Sequence, residues 1–368
     1  MQLTTKQRTR VDWFLTFLRI AALALIGAGL LAFIAQAIDA NNPFARWANP
    51  DALSLTGKQF RDLVVAGLAQ GAMYGLIALG YSMVYGVLGF INFAHGEVFM
   101  IGAVTGAVTS SKLAEAGAWE SNFVLCLLLV VFLSMVVCTV TAVIMERVAY
   151  RPLRGKPRLI PLITSIGVSF FLQNFILVLL GPGTKSYAKM PDWLTEKRTF
   201  LEIQGTRILV LAVAAVAMVG LWYLVERTKT GKAMRAVAED AEIASLMGID
   251  VNRIIVKTFA VGGAMAGVAG ILWGLLFNSV LHTAGFLPGI KAFSAAVVGG
   301  IGNIGGSMAG GLTIGVAESL GPLMILEPLG VSGPSQLRDA VAFAVLIIVL
   351  LVRPSGIFGE RLPSEERT

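Results

Sequence analysis

The stretch NFVLCLLLVVFLSMVVCTVTAVIMERVAYRPLRGKPR, residues 122–158, decides the fold class, because a long apolar run meets a basic cluster there. Residues 122–144 include no charged side chain. A helix needs about 20 apolar residues to cross a bilayer, so this run predicts a transmembrane helix. The segment 146–158 then carries five basic residues against one acid, Glu146. By the positive-inside rule, that segment is predicted to be a cytoplasmic loop.

Similar runs along the chain predict an all-α, polytopic membrane protein with about eight or nine transmembrane helices, including two broken or re-entrant segments. Of the 368 residues, 56% are hydrophobic and 14% are charged. A soluble domain carries about a quarter charged residues, so composition supports the same class. The predicted helices lie near 20–38, 63–81, 82–110, 122–144, 159–180, 208–225, 259–280, 293–320 and 340–352.

The net charge of +7 raises the question of nucleic acid binding. The basic residues lie mainly beside the apolar runs, where membrane orientation explains them, so we expect contact with membrane lipid and no nucleic acid partner. At the N-terminus, basic residues precede the run 20–38, and Ala35-Gln36-Ala37 resembles a cleavage site. A retained first helix is favoured over a cleaved signal peptide because the run is long enough to span.

Two stretches interrupt the helical pattern. Residues 82–96 read SMVYGVLGFINFAHG, and residues 294–311 hold seven glycines, among them Gly300 and Gly302. Irregular backbone at membrane depth is tolerated only where it is buried in protein or lines a watery cavity, and in transporters it marks the translocation path. Close helix packing is the alternative, and it is favoured for the pairs Gly71–Gly75, Gly102–Gly106 and Gly263–Gly267.

The best candidates for contact with a transported solute lie in the first interruption. Between residues 63 and 110, His95 and Glu97 are the only acidic, basic or histidine side chains. Such residues inside a membrane are functional candidates by default. The translocation candidates are Asn92, Phe93, His95, Glu97, Gly300 and Gly302. A scaffolding role is favoured, with Glu97 capping the next helix and His95 bonded to a backbone carbonyl. No metal is expected, since His282 is the only other histidine.

The segment 226–258 is predicted to be cytoplasmic and contains a short amphipathic helix. Glu239, Asp240 and Glu242 crowd its start, and Gly248 suits its C-terminal end. Its small apolar face consists of Ile243, Leu246 and Met247. Such a helix is either a handle for another protein or a plain connection lying on the membrane surface.

No enzyme motif accompanies these features. The Gly-Lys pairs at 57–58, 155–156 and 231–232 are followed by Gln, Pro and Ala, so the chain lacks a P-loop. Residues 300–305 match GxGxxG but lie in an apolar run without a preceding soluble strand. Nothing resembles GxSxG around a serine nucleophile. We therefore expect a chain that is not an enzyme and binds no cofactor itself.

Several motifs, taken together, resemble the H-type permease subunit of branched-chain amino acid ABC importers. They cover about residues 60–360 and occur in the same order as in that family. The matching stretches are GYSMVYG at 80–86, INFAHGE at 91–97, ERVAYRPLR at 146–154, AED at 238–240, GI at 248–249, KAF at 291–293, GGIG at 299–302 and PSGI at 354–357. Urea-type permeases share the core Asn-x-Ala-His-Gly-Glu, so a urea or amide importer is the alternative.

The resemblance implies an importer that moves branched-chain or similar amino acids from periplasm to cytoplasm across a bacterial cytoplasmic membrane. It implies an M-type permease partner, two ATPase subunits that hold the ATP-Mg, and a periplasmic solute-binding protein. Residues 61–358 would form the permease domain, with an N-terminal extension at 1–60 and a cytoplasmic tail at 359–368. The implied ATPase-coupling loop includes Arg235, Glu239, Asp240 and Gly248. An ion-coupled secondary transporter using His95 and Glu97 is a less favoured alternative.

Overall fold

The computed structural model describes residues 16–34 except 22, 25 and 32, residues 57–195, and residues 203–359. Over these residues the chain is almost entirely helical, and seven helices are long and apolar enough to cross a membrane. The fold is therefore an all-α polytopic membrane protein. The main helices are α1 Gly57–Leu88, α2 His95–Glu115, α3 Ala118–Ser121, α4 Phe123–Met145, α5 Leu159–Leu180, α6 Asp192–Thr195, α7 Gly205–Arg227, α8 Lys229–Glu239, α9 Ala241–Leu246, α10 Val251–Phe277, α11 Phe286–Gly299, α12 Ile304–Gly321 and α13 Arg338–Val352.

Shorter elements complete the chain path. The π-helical turns Glu146–Tyr150 and Pro322–Leu326 extend α4 and α12, and 3-10 turns cover Arg151–Leu153 and Pro334–Leu337. The strands β1 Lys185–Ser186 and β2 Ser279–Val280 form one antiparallel pair. Residues 16–34, where described, are helical. The predicted cleavage site at 35–37 and the tail beyond residue 359 lie outside the described residues.

The first predicted interruption is narrower than expected. The sequence predicted a boundary after residue 81 and an irregular stretch over 82–96, but α1 continues to Leu88 and only residues 89–94 leave the helix. A single glycine at position 86 costs about 1 kcal/mol of helix stability, which is too little to end a well-packed helix. The helix ends instead before Gly89, whose φ of 70° a side chain would disfavour.

The second interruption separates a short helix from a long one. Helix α11 has 14 residues, so it is about 21 Å long and shorter than the hydrocarbon core of about 30 Å. Residues 300–303 follow, with positive φ at Gly300 (105°) and Gly302 (93°). For residues 293–320 the sequence predicts either a re-entrant pair of half-helices or two short spans. The structure instead shows one half-helix, α11, followed by a longer helix, α12.

Small residues let the central helices approach closely. On α1, Gly71 lies against the backbone of Gly311 and Leu312 on α12. Gly263 and Gly267 of α10 lie against the backbone of Cys138 and Ser134 on α4. Ser134 Oγ also donates to the carbonyl of Gly267 at 3.0 Å. The predicted packing role of the paired glycines is confirmed at these contacts.

The two ends of the helical bundle differ in charge. We call the end that carries residues 146–158 and 228–250 the basic end, and the end that carries 116–122, 181–195 and 278–285 the opposite end. At the basic end, Arg154 pairs with Glu146 and also donates to Asn252.

The backbone N–H groups of Ile357 and Phe358 bond to the carbonyls of Val298 (2.8 Å) and Gly299 (3.0 Å). Residues after α13 therefore fold back to close the C-terminus of α11.

Candidate translocation and coupling sites

The carboxylate of Glu97 holds helix α5 against the start of α2. Glu97 is 1% exposed, and its Oε1 accepts hydrogen bonds from Gln173 Nε2 at 2.7 Å and Ser169 Oγ at 3.2 Å. Its Oε2 is buried and has no hydrogen-bond partner among the described residues. Glu97 lies in the first turn of α2, as the capping hypothesis requires, but these bonds go to another helix.

The imidazole of His95 lies against the backbone of α1. A Cβ added at Gly80 would overlap the ring, so the glycine makes room for it. The ring meets Tyr81 edge-on, with centroids 5.1 Å apart. Its Nε2 is buried without a hydrogen-bond partner in the described part of the chain.

Residues 89–94 are tied to three other elements. Asn92 Oδ1 accepts a hydrogen bond from the Tyr150 hydroxyl at 2.6 Å. The backbone N–H of Phe93 donates to Ser165 Oγ on α5 at 3.3 Å. The Phe93 ring lies 5.8 Å from that of Phe293 on α11. Asn92, His95 and Glu97 are therefore buried together at the first interruption, and Phe93 beside them is half-buried.

The glycines of the second interruption lie elsewhere. The backbone N–H of Gly302 donates to Ser82 Oγ at 2.7 Å. Gly302 and Arg235 line the same small cavity of ≈ 50 Å³ near the basic end. The structure thus splits the predicted translocation candidates into two groups, and it places Gly302 beside the predicted coupling segment.

The predicted coupling segment forms an exposed helical knob at the basic end. Asp240 Oδ1 accepts hydrogen bonds from the N–H groups of Glu242 (2.8 Å) and Ile243 (2.9 Å), so it caps α9. Gly248, at φ 85°, ends the segment as predicted. The apolar side chains between them are exposed by 59% at Ile243, 83% at Leu246 and 78% at Met247. We call these three residues the apolar knob.

Helix α8, which precedes the apolar knob, carries two of the predicted coupling residues, Arg235 and Glu239. Arg235 on α8 pairs with Glu226 near the end of α7. Glu239, the last residue of α8, is exposed. An ion pair therefore links α8, the helix that precedes the apolar knob, to α7. The apolar side chains of the knob are exposed.

Sequence reasoning missed a buried charge cluster around Lys291. The ammonium of Lys291 lies 2.7 Å from Glu318 Oε1 and 2.6 Å from Asp339 Oδ1. Lys291 and Glu318 are 5% and 3% exposed, respectively. Gln70 Nε2 donates to the same Glu318 oxygen at 3.1 Å and to the Tyr74 hydroxyl at 2.7 Å. This cluster joins α1, α11, α12 and α13.

A sequence signal for this cluster existed. Lys291 is the only lysine or arginine between Lys257 and Arg338, and Glu318 is the only acid between Asp250 and Glu327. Charged residues inside a membrane are functional candidates, and this rule, which singled out His95 and Glu97, applies equally to Lys291 and Glu318. Gln173 and Ser169, in contrast, are uncharged polar residues in an apolar run that is long enough to span a membrane. Nothing in the sequence indicates that they bond to Glu97.

Replacing Glu97 with leucine is expected to destabilise the protein by about 1–3 kcal/mol, because Gln173 and Ser169 lose their acceptor in a buried site. Glu97→Gln, which keeps the shape and one acceptor oxygen, is expected to cost less. Thermal unfolding of the purified protein in detergent measures both. The matched control is Asn174→Leu on α5, the helix of Gln173 and Ser169, where the exposed amide donates to the Phe170 carbonyl of its own turn. Equal melting temperatures for Glu97→Leu and Asn174→Leu would contradict the anchoring role.

Comparison with known proteins places this chain among transport permeases. The family described as "Branched-chain amino acid transport system / permease component" matches residues 63–350. The permease protein BraD of the high-affinity branched-chain amino acid transport system in Pseudomonas aeruginosa is 45% identical over 303 residues, covering 80% of this chain and 94% of that protein.

The corresponding permease protein LivH of Escherichia coli K12 is 40% identical over 297 residues, covering 80% of this chain and 93% of that protein. LivH of Salmonella typhimurium is 40% identical over 298 residues, with the same coverage of 80% and 93%. The family match, residues 63–350, runs from within α1 to within α13 and includes both interruptions and the apolar knob. The chain belongs to the family of branched-chain amino acid transport system permease components.

Proposed function

We propose that the chain is the transmembrane permease subunit of an ABC importer that moves branched-chain amino acids from the periplasm into the cytoplasm. The observation that carries this proposal is the similarity at 40–45% identity to permease proteins of high-affinity branched-chain amino acid transport systems. The ordered motifs and the absence of a P-loop in the sequence agree with a passage that depends on separate ATPase subunits.

The orientation follows from charge. The basic end carries Arg147, Arg151, Arg154, Lys156 and Arg158 in one short loop, so it faces the cytoplasm of a bacterial inner membrane. Helix α13 then ends on the cytoplasmic side. The opposite end faces the periplasm, where the solute-binding protein delivers its cargo.

The apolar knob is the docking element for one ATPase subunit. Three adjacent apolar side chains on a water-facing helix are costly unless a partner covers them. A groove on the ATPase that receives a short amphipathic helix supplies that cover. The second ATPase subunit docks on the M-type permease, which completes the membrane-spanning pair.

The translocation path runs beside the two interruptions. Tyr150, Ser165 and Phe293 hold residues 89–94 in place. The solute passes along the surface that residues 89–94 and α11 support. Gly302 lies beside Arg235 at the basic end, so a displacement of the coupling segment reaches the second interruption directly.

Uptake tests this function in cells. A strain that lacks this gene is expected to lose binding-protein-dependent leucine uptake and to recover it from a plasmid copy. Unchanged leucine uptake in the deletion strain would contradict the proposal. A parallel assay with urea separates the amide importer, and transport by the purified chain alone under an ion gradient would indicate a secondary transporter.

Replacing Leu246 with serine is expected to lower leucine uptake about tenfold or more. Burying a leucine side chain contributes about 1.5–3 kcal/mol, and each 1.4 kcal/mol is tenfold in affinity. Glu239→Lys tests the charged edge of the same surface. Asp240→Lys is less informative because it also removes the helix cap, whereas Asp240→Asn keeps it.

The matched control is Lys232→Ala, an exposed change on α8 outside the knob. The amount of membrane-inserted protein is measured for each variant, because Leu246→Ser is expected to weaken docking of the ATPase without changing insertion. Normal uptake by Leu246→Ser at normal protein levels would show that the knob does not couple the ATPase.

A further inference from the structure

A polar cleft lies at the opposite end of the bundle from the apolar knob. Two adjoining cavities of ≈ 250 and ≈ 260 Å³ share five lining residues. The shared residues are Ala66, Gln70, Gln204, Arg207 and Arg338. We call these joined cavities the arginine cleft. None of these residues belongs to the interruptions or to the knob.

The walls of the cleft combine positive charge with apolar surface. Arg207 and Arg338 supply guanidinium groups, whose planar fork matches a carboxylate. Leu275, Leu276 and Phe277 supply an apolar wall in the larger opening. Among the described residues that line the cleft, Asp62 is the one acid against two arginines, so these side chains carry an excess of positive charge.

The floor of the cleft leads to the buried charge cluster. Gln70 lines both cavities and donates hydrogen bonds to Tyr74 and Glu318. Glu318 in turn pairs with Lys291 on the half-helix α11. A solute in the cleft is therefore separated by one side chain from the network that fixes α11.

We propose that the arginine cleft is an entry site for a zwitterionic amino acid with an apolar side chain. Its α-carboxylate binds Arg207 and Arg338, and its side chain packs on Leu275 and Leu276. The excess of positive charge disfavours lysine and arginine as ligands. This inference rests on the proposed import function and adds a site for the solute on this chain itself.

The shape of the cleft favours a small solute over an acidic side chain of a docked protein. Arg207 is partly buried and its Nη1 donates to the carbonyl of Asp62 at 3.1 Å, which orients the guanidinium inside the cavity. A concave site with an apolar wall and few polar groups is typical of small-molecule binding. A docked protein contacts mainly the rim.

Leucine binding to the full-length chain, purified in phosphatidylcholine nanodiscs without partner proteins, tests the site. Arg207→Gln and Arg338→Gln are each expected to raise the Kd of radiolabelled leucine about tenfold. Arg207→Lys keeps the charge and is expected to retain part of the affinity. Leucinamide, which lacks the carboxylate, and lysine are expected to compete weakly.

Lys112→Gln is the matched control, since it removes an exposed positive charge at the same end, outside the cleft. Variants are compared only when their elution profiles match the unmodified chain. Nanodiscs with phosphatidylglycerol form a second arm, in which a lipid headgroup in the cleft would displace leucine.

Three results would overturn the inference: no leucine binding by the unmodified chain, equal binding by the arginine variants, or equal competition by leucinamide. Loss of uptake in the arginine variants with unchanged leucine binding would assign the arginines to docking of the binding protein instead. If the unmodified gene restores leucine uptake in cells while its purified product fails to bind leucine, the entry site is wrong and the import function stands. Failure of the unmodified gene to restore uptake refutes the import function itself.

Discussion

Replacing Lys291 with methionine is expected to destabilise the protein by about 3–5 kcal/mol, because it removes one partner of a buried ion pair. Glu318 would keep a buried charge that has lost its ammonium partner and retains the Gln70 amide as a hydrogen-bond donor. Asp339, at 49% side-chain exposure, can turn to water and loses less. Thermal unfolding in detergent, followed by fluorescence-detected gel filtration, measures the loss.

A compensating change separates charge from packing. In Lys291→Met combined with Glu318→Leu, no buried charge is left on α11 or α12, so at least half of the lost stability is expected to return. The matched control is Arg253→Gln, which breaks the ion pair with Asp250 at side-chain exposures of 81% and 49%. Such a surface pair contributes about 0–1 kcal/mol. A Lys291→Met protein as stable as Arg253→Gln would contradict the burial argument.

Replacing Gly315 with alanine is expected to destabilise the protein by about 1–3 kcal/mol, although alanine favours helix by about 1 kcal/mol over glycine. A Cβ at this position would overlap the backbone of Gly71 and the carbonyl of Gly67 on α1. Backbone atoms cannot turn aside as a side chain can, so α1 and α12 must separate. Melting temperature and leucine uptake are both expected to fall.

The matched control is Gly220→Ala in α7, where nothing lies within 4 Å of the added Cβ. Here helix propensity acts alone, and a small gain in melting temperature is expected. A lower melting temperature for Gly315→Ala and a higher one for Gly220→Ala would identify contact between α1 and α12 as the cause. A higher melting temperature for Gly315→Ala would show that α1 and α12 can accommodate the added methyl group without separating.

The sequence predicted the helices that carry the fold because their signal is local. The run 122–144 became α4 with a shift of one residue at each end, since length and hydropathy need no knowledge of neighbours. The short helix that begins after Asp240 and ends before Gly248 was also predicted, because caps are chosen by nearby residues.

The site was predicted less completely because its contacts join distant parts of the chain. Glu97 was singled out, but its bonds to Ser169 and Gln173 depend on how α5 packs beside α2. The first interruption was placed too broadly, since tertiary packing keeps residues 82–88 helical despite Gly86. The proximity of Gly302 and Arg235, separated by a complete span in sequence, had no sequence signal.

The contact between residues 357–358 and the end of α11 bears on how the chain is made. Val298 and Gly299 leave the ribosome before α12 and α13, so their carbonyls wait for partners that are synthesised later. A chain truncated before Ile357 would hold two buried acceptors unpaired, at about 1–3 kcal/mol each. Synthesis of residues 357 and 358 is thus a condition for closing the half-helix. A nonsense mutation between α13 and codon 357 should therefore yield protein that membrane proteases remove.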